Sequence, residues 1–502
     1  MAIRIYNTLT KRKEEFVPVN PGKVGIYSCG PTVYDYFHIG NARAFVVPDV
    51  IRRYLQYKGY EVTLVQNITD IEDKIIKRAS ERGVEPADIV DEYTKAFFED
   101  RKALGVRPPD IQPRATQHVE GMIKMIQKLV DNGLAYVAGG DVYYDVSRFE
   151  PYGELSGQNI DDLKAGARVE PGEAKQDPLD FALWKAAKPG EPAWDSPWGP
   201  GRPGWHIECS VMSTQYLGPV FDIHTGGVDL VFPHHENEIA QSHGANGHPP
   251  VKYWVHNGYV NIDGQRMGKS LGNFKTVRGI LKQYPGKVVR YFLISNHYRK
   301  PINFSDEELT ACGKALARLE SAVANALFAT GMKGWTREQL EQAVRPETQL
   351  AQAITAAKAS FEEAMDDDFN TAGAIAALHE LATALNTYVN QGIQPGQGQS
   401  EPVRAAVAAA TLAMAELGDV VGILDLDTLL SAHATAETGA EAGGDGDAKL
   451  VESLIRLLLD VRAEARAMKQ YALSDKIRGE LSELGIVVED TRDGARWKRV
   501  SQ

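Results

Sequence analysis

The chain has 502 residues, of which 43% are hydrophobic and 24% are charged, and its formal net charge is −12. This composition is that of a globular protein with two to four domains. The negative charge argues against a chain that binds nucleic acid over its whole surface, although one local basic face would be enough to bind a polyanion. The sequence has no apolar run of about 18 residues and its N-terminus has no apolar signal core, so we expect a cytoplasmic protein without a membrane span.

Strand-like and helical patterns alternate near the N-terminus. The sequence predicts strands at residues 24–27 and 62–66, and helices at residues 41–57 and 71–79. This alternation is typical of a parallel sheet with crossover helices. We therefore predict an α/β fold with a Rossmann-like, doubly wound parallel sheet, whose first half is residues 1–115.

The segment between the first predicted strand and helix is the most informative part of the chain. The strand ends near Tyr27, Gly30 and Pro31 interrupt it, and His38-Ile39-Gly40-Asn41 leads into the helix. Free backbone N–H groups and the helix dipole favour phosphate at such a position, and a glycine lets a ribose or base lie against the main chain. The segment predicts a nucleotide site.

The α/β pattern is interrupted and then resumes. A predicted helix (119–132), a hairpin-like segment (135–146) and a loop rich in Pro, Gly and Trp are interpreted as an insertion at 116–203. Predicted strands at 221–224 and 251–255 and a helix at 236–245 then complete the sheet within the second half of the domain, residues 204–290.

The rest of the sequence predicts helices. Alanine-rich amphipathic patterns at 306–329, 348–365, 370–391 and 402–423 predict a helical bundle over residues 291–432. Small and acidic residues at 433–447 predict a flexible linker, and 448–502 a small C-terminal unit. That unit carries 11 lysines and arginines against 9 acidic residues, so basic charge is concentrated at this end.

Residues with metal-binding potential are spread along the chain. His234 and Glu238, four residues apart on a predicted helix, share one face, and Cys29 and Cys209 are the remaining soft donors. Two thiolates, an imidazole and a carboxylate suit Zn²⁺ better than Mg²⁺ or Ca²⁺. The alternative is that both cysteines are buried small hydrophobes and that the His/Glu pair lies on a solvated helix face. We interpret Cys312 as a core residue.

A glycine-spaced loop with two cations, Arg266 and Lys269, follows the last predicted strand. Residues 264–273 (GQRMGKSLGN) predict a mobile loop that closes over a triphosphate, with Lys269 on the phosphates. The alternative interpretation is a solvated turn.

Together, residues 38–41 (HIGN) and 266–270 (RMGKS) resemble the HIGH and KMSKS signatures of class I aminoacyl-tRNA synthetases. Asn41 replaces the last histidine of the first signature, and Arg266 and Gly268 replace lysine and serine in the second. Five longer stretches resemble the cysteinyl-tRNA synthetase family: residues 29–43 (CGPTVYDYFHIGNAR), 67–76 (NITDIEDKII), 201–213 (GRPGWHIECSVMS), 222–242 (DIHTGGVDLVFPHHENEIAQS) and 296–305 (NHYRKPINFS).

The resemblance implies a reaction and a set of site residues. L-Cysteine would attack the α-phosphate of ATP to form cysteinyl adenylate, and the cysteine would pass to the 3′ end of tRNA(Cys). The α/β domain would then be catalytic, with Mg²⁺ arriving with ATP and the protein acting as a monomer. The implied residues are His38, Asn41 and Lys269 for catalysis, and Gly40, Gly226, Gly227, Asp229, Arg266 and Lys269 for ATP.

The resemblance also implies how the substrate is selected. One Zn²⁺ per chain, on Cys29, Cys209, His234 and Glu238, would distinguish the thiol of cysteine from the hydroxyl of serine, since an apolar pocket separates such near-isosteres poorly. The amino-acid pocket would be shaped by Thr69, Trp205 and His224, for which packing roles are the alternative.

For tRNA, the C-terminal unit is expected to help read the anticodon. Its candidate phosphate and stacking partners, which could equally form a solvated charged face, are Arg466, Lys469, Lys476, Arg478, Arg496, Trp497, Lys498 and Arg499. Two rival functions remain open at this point. One is a cysteine ligase that passes cysteinyl adenylate to an amino sugar in thiol biosynthesis, and the other is a non-catalytic, zinc-containing RNA-binding protein.

Overall fold

The computed structural model describes residues 2–158, 174–267, 272–393, 398–431, 445–468, 470–483, 486–491 and 494–499. It divides into two units, Met1–Ser431 and Ala432–Gln502. Within these described ranges, no helix has both the length and the apolar character needed to cross a membrane.

The first part of the chain alternates strands with helices, as the sequence predicts. Its elements are β1 (Arg4–Asn7), β2 (Arg12–Glu15), β3 (Lys23–Ser28), α1 (Ile39–Tyr57), β4 (Glu61–Gln66), α2 (Asp73–Arg82), α3 (Pro86–Ala103) and α4 (Val119–Asp131). After the four strands of the insertion, β5 (Ala135–Ala138), β6 (Asp141–Tyr144), β7 (Phe181–Ala186) and β8 (Gly201–Pro203), the pattern resumes. Its elements are α5 (Trp205–Leu217), β9 (Phe221–Gly227), α6 (Glu236–Asn246), β10 (Val251–Asn257), β11 (Val260–Ile262) and β12 (Gln265–Arg266).

A parallel sheet with the strand order β10-β9-β3-β4 lies at the centre of the first unit. Ile26 of β3 pairs with Leu64 of β4 on one side and with Ile223 of β9 on the other. All three side chains are buried, as expected of a strand covered on both faces. The Rossmann-like α/β fold is therefore confirmed. Its strands end together at one edge, where ligands bind in such folds.

The insertion contains more β-structure than its sequence predicts. Its strands β5 (Ala135–Ala138), β6 (Asp141–Tyr144), β7 (Phe181–Ala186) and β8 (Gly201–Pro203) form an antiparallel sheet in that order. The last two strands come from the stretch that was predicted to be a loop, and this prediction was wrong. Proline, glycine and tryptophan obscure their pattern. The hydrogen bonds come from pairing that local sequence does not reveal, of β7 with β6 and of β8 with β7.

Helices dominate the remainder of the first unit. They are α7 (Val277–Leu281), α8 (Gly286–Ile294), α9 (Asp306–Ala329), α10 (Arg337–Ala343), α11 (Ala351–Asp366), α12 (Thr371–Thr387), α13 (Glu401–Val421) and α14 (Leu426–Ser431), with the strand β13 (Ile302–Phe304) between α8 and α9. One continuous hydrophobic core includes the sheet residue Ile26, Val46 of α1, and the bundle residues Leu378 and Leu417. The α/β part and the bundle are thus packed as one body.

The second unit has its own small core. Helices α15 (Asp445–Ala467) and α16 (Tyr471–Glu483) precede a hairpin of β14 (Ile486–Thr491) and β15 (Gly494–Arg499). The buried residues are Ile455, Leu459, Leu481 and Val488. Most of the predicted linker lies outside the described residues, but residues 445–447 are helical, which corrects that part of the prediction. A helix extends past its apolar repeat at little cost once it is nucleated.

Candidate active site

A cavity of about 510 Å³ opens at the carboxyl edge of the parallel sheet. It is lined by Cys29 after β3, by His38, Gly40 and Asn41 at the start of α1, and by Asn257 at the end of β10. The predicted nucleotide segment and a predicted metal ligand therefore face one enclosed space, because parallel strands deliver their following loops to the same edge.

His38 caps the N-terminus of α1. The Asn41 N–H donates to Nδ1 of His38 at 3.2 Å, and the His38 N–H donates to Oδ1 of Asn41 at 3.4 Å. This reciprocal capping box satisfies backbone donors that the helix itself cannot pair. A β-carbon on Gly40 would lie 3.0 Å from the His38 ring and 3.3 Å from Cε of Met267, so glycine lets both approach the helix start.

The loop that carries the second signature begins beside the start of α1, where Met267 approaches Gly40. Arg266 and Met267 line the cavity, and the Arg266 guanidinium lies 4.3 Å from the ring centre of Tyr259 and donates to its hydroxyl at 2.8 Å. Lys269 falls on residues 268–271, which are outside the described part of the chain. Two short strands, β11 and β12, separate this loop from the last strand of the parallel sheet.

The two glycines that end β9 border different groups. Gly227 and Asp229 line the cavity, and Asp229 is exposed within a helical turn, Val228–Leu230. Gly226 instead faces the His235 ring, because a β-carbon there would lie 2.6 Å from Cε1 of that histidine. Its lack of a side chain makes room for an imidazole.

The four predicted metal ligands come together at the inner end of the cavity. The ligand atoms of Cys29, Cys209, His234 and Glu238 all lie within 4.8 Å of one another. The two sulfur atoms are 4.0 Å apart, and Nε2 of His234 is 3.0 Å from Oε1 of Glu238. Cys209 lies on α5, and His234 belongs to a distorted helical turn just before α6, so both helices aim their first turns at the end of β3.

A second group of ligand atoms overlaps the first. Cys29, His224, His235 and Glu238 also lie within 4.8 Å of one another. Cys29, Cys209 and His234 line the cavity, whereas neither His224 nor His235 does so. An ion held by the first group would face a bound molecule, and an ion held by the second would be enclosed by protein.

Additional histidines contact the histidines of these two groups. Nδ1 of His235 lies 2.7 Å from Nε2 of His256, whose Nδ1 lies 2.8 Å from Oγ1 of Thr8. Nδ1 of His206 lies 2.8 Å from Nδ1 of His234. Such outer contacts fix the ring orientation of ligand histidines. Sequence reasoning missed His206, His235 and His256, although His256 follows the predicted strand 251–255 and so belongs to the same sheet edge.

The electrostatics of the cluster favour an ionised carboxylate and one ionised thiol. Burial alone would raise the pKa of Glu238, but the His224 and His234 imidazoles outweigh it and lower that pKa to about 2. The hydrogen bond from Cys29 lowers the pKa of the Cys209 thiol to about 6, against the effect of burial. Burial raises the pKa of Cys29 well above its ordinary value. The cluster concentrates electron-pair donors, which a soft cation can bind.

The three predicted substrate residues occupy different positions. Thr69 and Trp205 line the cavity, and the Trp205 ring stacks on His234 with centroids 4.2 Å apart. His224 lies behind Glu238, with Nε2 2.9 Å from Oε2, and stacks on Trp254. Lys74, which sequence reasoning missed, lines the mouth of the cavity, with Nζ 5.7 Å from the Tyr34 ring centre.

Comparison with known proteins shows the family. The profile described as the class I (C) tRNA synthetase catalytic domain matches residues 15–314, that of the DALR domain matches 360–425, and that of the cysteinyl-tRNA ligase anticodon-binding domain matches 455–497. The chain belongs to the cysteinyl-tRNA synthetase family. It is therefore a class I, ATP-dependent aminoacyl-tRNA ligase.

Full-length relatives agree with this assignment. The cysteine–tRNA ligase of Heliobacterium modesticaldum is 50% identical over 503 residues, covering 99% of this chain and 100% of the relative. That of Thermococcus gammatolerans is 48% identical over 500 residues, covering all of both chains. Such identity over the whole length extends the family assignment to the bundle and the C-terminal unit.

Solved structures with low sequence identity share the fold. The methionyl-tRNA synthetase of Mycobacterium tuberculosis in complex with methionyl-adenylate matches with a TM-score of 0.60 at 14% identity, covering 83% of this chain and 96% of that one. The LeuRS of Agrobacterium radiobacter, in its ternary complex, matches with a TM-score of 0.56 at 12% identity, covering 85% and 86%. These likenesses bear on the fold alone.

Proposed function

We propose that the protein activates L-cysteine with ATP and transfers it to the 3′ end of tRNA(Cys), selecting the thiol through a zinc ion in the described cavity. The observation that carries the proposal is the shared cavity. The cluster of sulfur, imidazole and carboxylate donors opens into the same space as the capped start of α1 and the base of the signature loop. A thiol bound at the cluster would therefore lie next to bound ATP.

The donor set fits zinc. Two thiols, an imidazole and a carboxylate are soft or borderline ligands, and hard cations such as Mg²⁺ and Ca²⁺ prefer oxygen ligands. Cys29, Cys209, His234 and Glu238 would hold the ion. When bound, zinc favours a thiolate ligand over an alcohol, which supplies the discrimination that a pocket for cysteine and serine needs.

For adenylate formation, the chain contributes position and charge. His38 and the first backbone N–H groups of α1 would receive the phosphates of ATP, which arrives with Mg²⁺. Asn41 would exchange its capping hydrogen bond for a phosphate or ribose contact. Arg266 and Lys269 would neutralise the negative charge that grows on the phosphates, and Asp229 would accept from the ribose, with Gly40 and Gly227 leaving room for the adenosine.

For transfer to tRNA, the second unit is the proposed anticodon reader. The side chains of Arg466, Lys476 and Arg478 are exposed there, while Lys469 lies outside the described residues. A monomer and a cytoplasmic location remain predictions from the sequence.

Pyrophosphate exchange tests the thiol selection directly. Exchange should depend on cysteine, should be weak with serine, and should be lost when a chelator removes the metal and recovered when Zn²⁺ is added. Comparable exchange with serine, or full exchange by metal-free protein, would contradict the proposal.

The amino-sugar alternative differs only in the acceptor. The profile of an anticodon-binding domain at residues 455–497 favours tRNA. Incubation with labelled cysteine, ATP and either tRNA(Cys) or glucosaminyl-inositol should label the RNA and leave the sugar unlabelled. Labelling of the sugar would instead support the alternative.

A further inference from the structure

Lys74 places a positive charge at the mouth of the cavity without a carboxylate partner. It lies on α2 and is exposed, and its Nζ forms no ion pair or hydrogen bond within the described part of the chain. That Nζ lies 5.7 Å from the ring centre of Tyr34 and 6.0 Å from the ring centre of Trp205. All three residues line the cavity. The mouth therefore offers a cation beside two aromatic rings.

Both rings are held in place by neighbouring groups. Nε of Arg78, on the same helix α2, donates to the carbonyl oxygen of Tyr34 at 3.3 Å, and Nη2 of Arg78 pairs with Asp35 at 2.8 Å. The Trp205 ring stacks on the ring of His234. A surface that is ordered before its ligand arrives loses less conformational entropy on binding.

The position of Lys74 in the sheet order separates it from the expected ribose site. Helix α2 follows β4, an edge strand, whereas Asp229 follows β9, which pairs with β3 on the side away from β4. Helix α2 is instead joined to the insertion, because Asp73 pairs with Lys185 of β7 at 2.7 Å and also with Arg202 of β8. This placement favours a ligand that enters beside the insertion over ATP itself.

A lysine beside aromatic rings is a typical combination for binding single-stranded nucleic acid. Lysine pairs with phosphate, and the bases of a single strand stack on aromatic side chains. A cysteine molecule with its sulfur at the metal cluster has no ring to stack. The acceptor RNA has both groups, and its 3′ end must pass the mouth of the cavity to reach an adenylate inside.

We propose that Lys74 binds a phosphate of the single-stranded 3′ end of the acceptor tRNA, while a base of that end stacks on Tyr34. Lys74 then acts in the transfer of cysteine and not in its activation. This inference rests on the proposed function, because it takes tRNA(Cys) to be the acceptor and the cavity to hold the adenylate.

Separate measurement of the two half-reactions tests the assignment on the full-length, metal-loaded protein. Activation is followed by cysteine-dependent pyrophosphate exchange in the absence of tRNA. Transfer is followed in a single turnover, by mixing preformed, enzyme-bound cysteinyl adenylate with tRNA(Cys). The tRNA concentration that gives half of the maximal rate is recorded at several salt concentrations.

The variants separate charge, stacking and mere surface change. Lys74→Met removes the charge at similar side-chain length, Lys74→Arg keeps it, and Tyr34→Leu removes the ring. Lys77→Met is the matched control. Lys77 is an exposed lysine of the same helix, but its Nζ lies 3.9 Å from Glu81 and it does not line the cavity.

In Lys74→Met, the half-saturating tRNA concentration should rise about 10-fold, the effect of one lost hydrogen bond to a charged group. The slope of its logarithm against the logarithm of salt concentration should fall by about 0.7, the share of one phosphate in a single strand. Pyrophosphate exchange should not change. Lys74→Arg should keep the natural salt slope, since arginine also pairs with phosphate.

The ring and the control give different patterns. Tyr34→Leu should raise the half-saturating tRNA concentration about 10-fold through lost stacking, with the salt slope unchanged because no charge is removed. Lys77→Met should match the natural protein in both half-reactions.

Several results would overturn the inference. A loss of exchange in Lys74→Met as large as the loss of transfer would show that Lys74 serves cysteine or ATP. An unchanged salt slope in Lys74→Met, or a Lys74→Arg variant as weak as Lys74→Met, would show that no RNA phosphate is bound there. An unchanged tRNA requirement in Tyr34→Leu would contradict the stacking contact.

The proposed function and this inference fail in different ways. Absence of cysteine-dependent exchange, or of tRNA(Cys) charging, in the natural protein would defeat the proposed function. Normal exchange and charging in the natural protein, with no selective loss of transfer in Lys74→Met, would defeat this inference only.

Discussion

Two buried groups of charged side chains in the first unit differ in how their charges are balanced. At the contact between α1 and the bundle, Asp49 lies 2.7 Å from Nη2 of Arg290 and 2.9 Å from Nε of Arg53. Every guanidinium nitrogen of these two arginines donates to Asp49, to Asp419 or to a backbone carbonyl. At the candidate metal site, by contrast, Glu238 faces imidazoles and a thiol and, among the described residues, no arginine or lysine.

The difference leads us to predict that the first group serves the fold and the second serves ligand binding. The Asp49 group is complete, so a change in any member leaves a buried charge without its partner. The Glu238 group retains a polar atom without a hydrogen-bond partner among the described residues, Nδ1 of His224. Substitutions in the first group should therefore change stability, and substitutions in the second should change metal binding and activity.

The largest effect should follow Cys209→Ala. Loss of a thiolate ligand should remove the metal and lower cysteine-dependent exchange by about 10³-fold, well beyond the roughly 100-fold upper cost of losing an outer-shell partner. Metal content and pyrophosphate exchange are the measurements. Cys312→Ala is the matched control, because Cys312 is also buried but lies on α9 away from the cluster. Equal losses in both variants would refute the assignment of Cys209.

Asp49→Asn tests the other group. Removing the carboxylate charge takes the carboxylate partner from buried Arg290 and one of two carboxylate partners from Arg53, so the free energy of unfolding should fall by about 3–5 kcal/mol. Denaturant unfolding measures this, while the bound metal per chain should stay unchanged. Glu120→Gln, at an exposed ion pair with Lys124, should leave unfolding unchanged within error. A stable Asp49→Asn protein would show that the group is not a stability element.

The same carboxylate should make stability depend on acidity. Burial would raise the pKa of Asp49, but Arg290 and Arg53 outweigh it and lower that pKa below its ordinary value. As the pH falls below about 4, the unfolded chain takes up this proton before the folded chain does, so stability is lost on acidification. The slope of unfolding free energy against pH in acid should be steeper in the natural protein than in Asp49→Asn. Parallel slopes would contradict the assignment.

Gly40→Ala should give the smallest of these effects. Its β-carbon would press on the His38 ring and on Met267, so KM for ATP should rise by about 10-fold, as for one displaced charged hydrogen bond. Gly313→Ala is the control, since its β-carbon meets only ordinary contacts at 3.7 Å on α9. An unchanged KM for ATP in Gly40→Ala would argue against nucleotide binding at the helix start.

Much of this architecture could be predicted from sequence, because hydrophobic periodicity marks long elements well. The predicted helix 41–57 differs from α1 only at its start, where the capping residue His38 and not the apolar pattern sets the boundary. The short strands β7 and β8 could not be predicted, since β7 depends on pairing with β6 and β8 on pairing with β7.

The residues of the candidate site were likewise only partly predictable from the sequence. Cys29, Cys209, His234 and Glu238 were found through their chemistry and through the family resemblance, and the structure brings them together. His206 carries no local signal. Its contact with His234 forms only when α5 packs beside the turn that carries His234, and this packing depends on tertiary structure.

Helix α1 runs from the end of the cavity that His38 lines to the bundle. Its 19 residues span about 28 Å at a rise of about 1.5 Å per residue. One end carries His38, and at the other the Tyr54 hydroxyl donates to Asp366 at 2.6 Å. This contact limits how the protein can be truncated. A fragment that ends before α11 would lose the hydrogen bond between Tyr54 and Asp366, so the helix that carries His38 would be held less firmly at its other end.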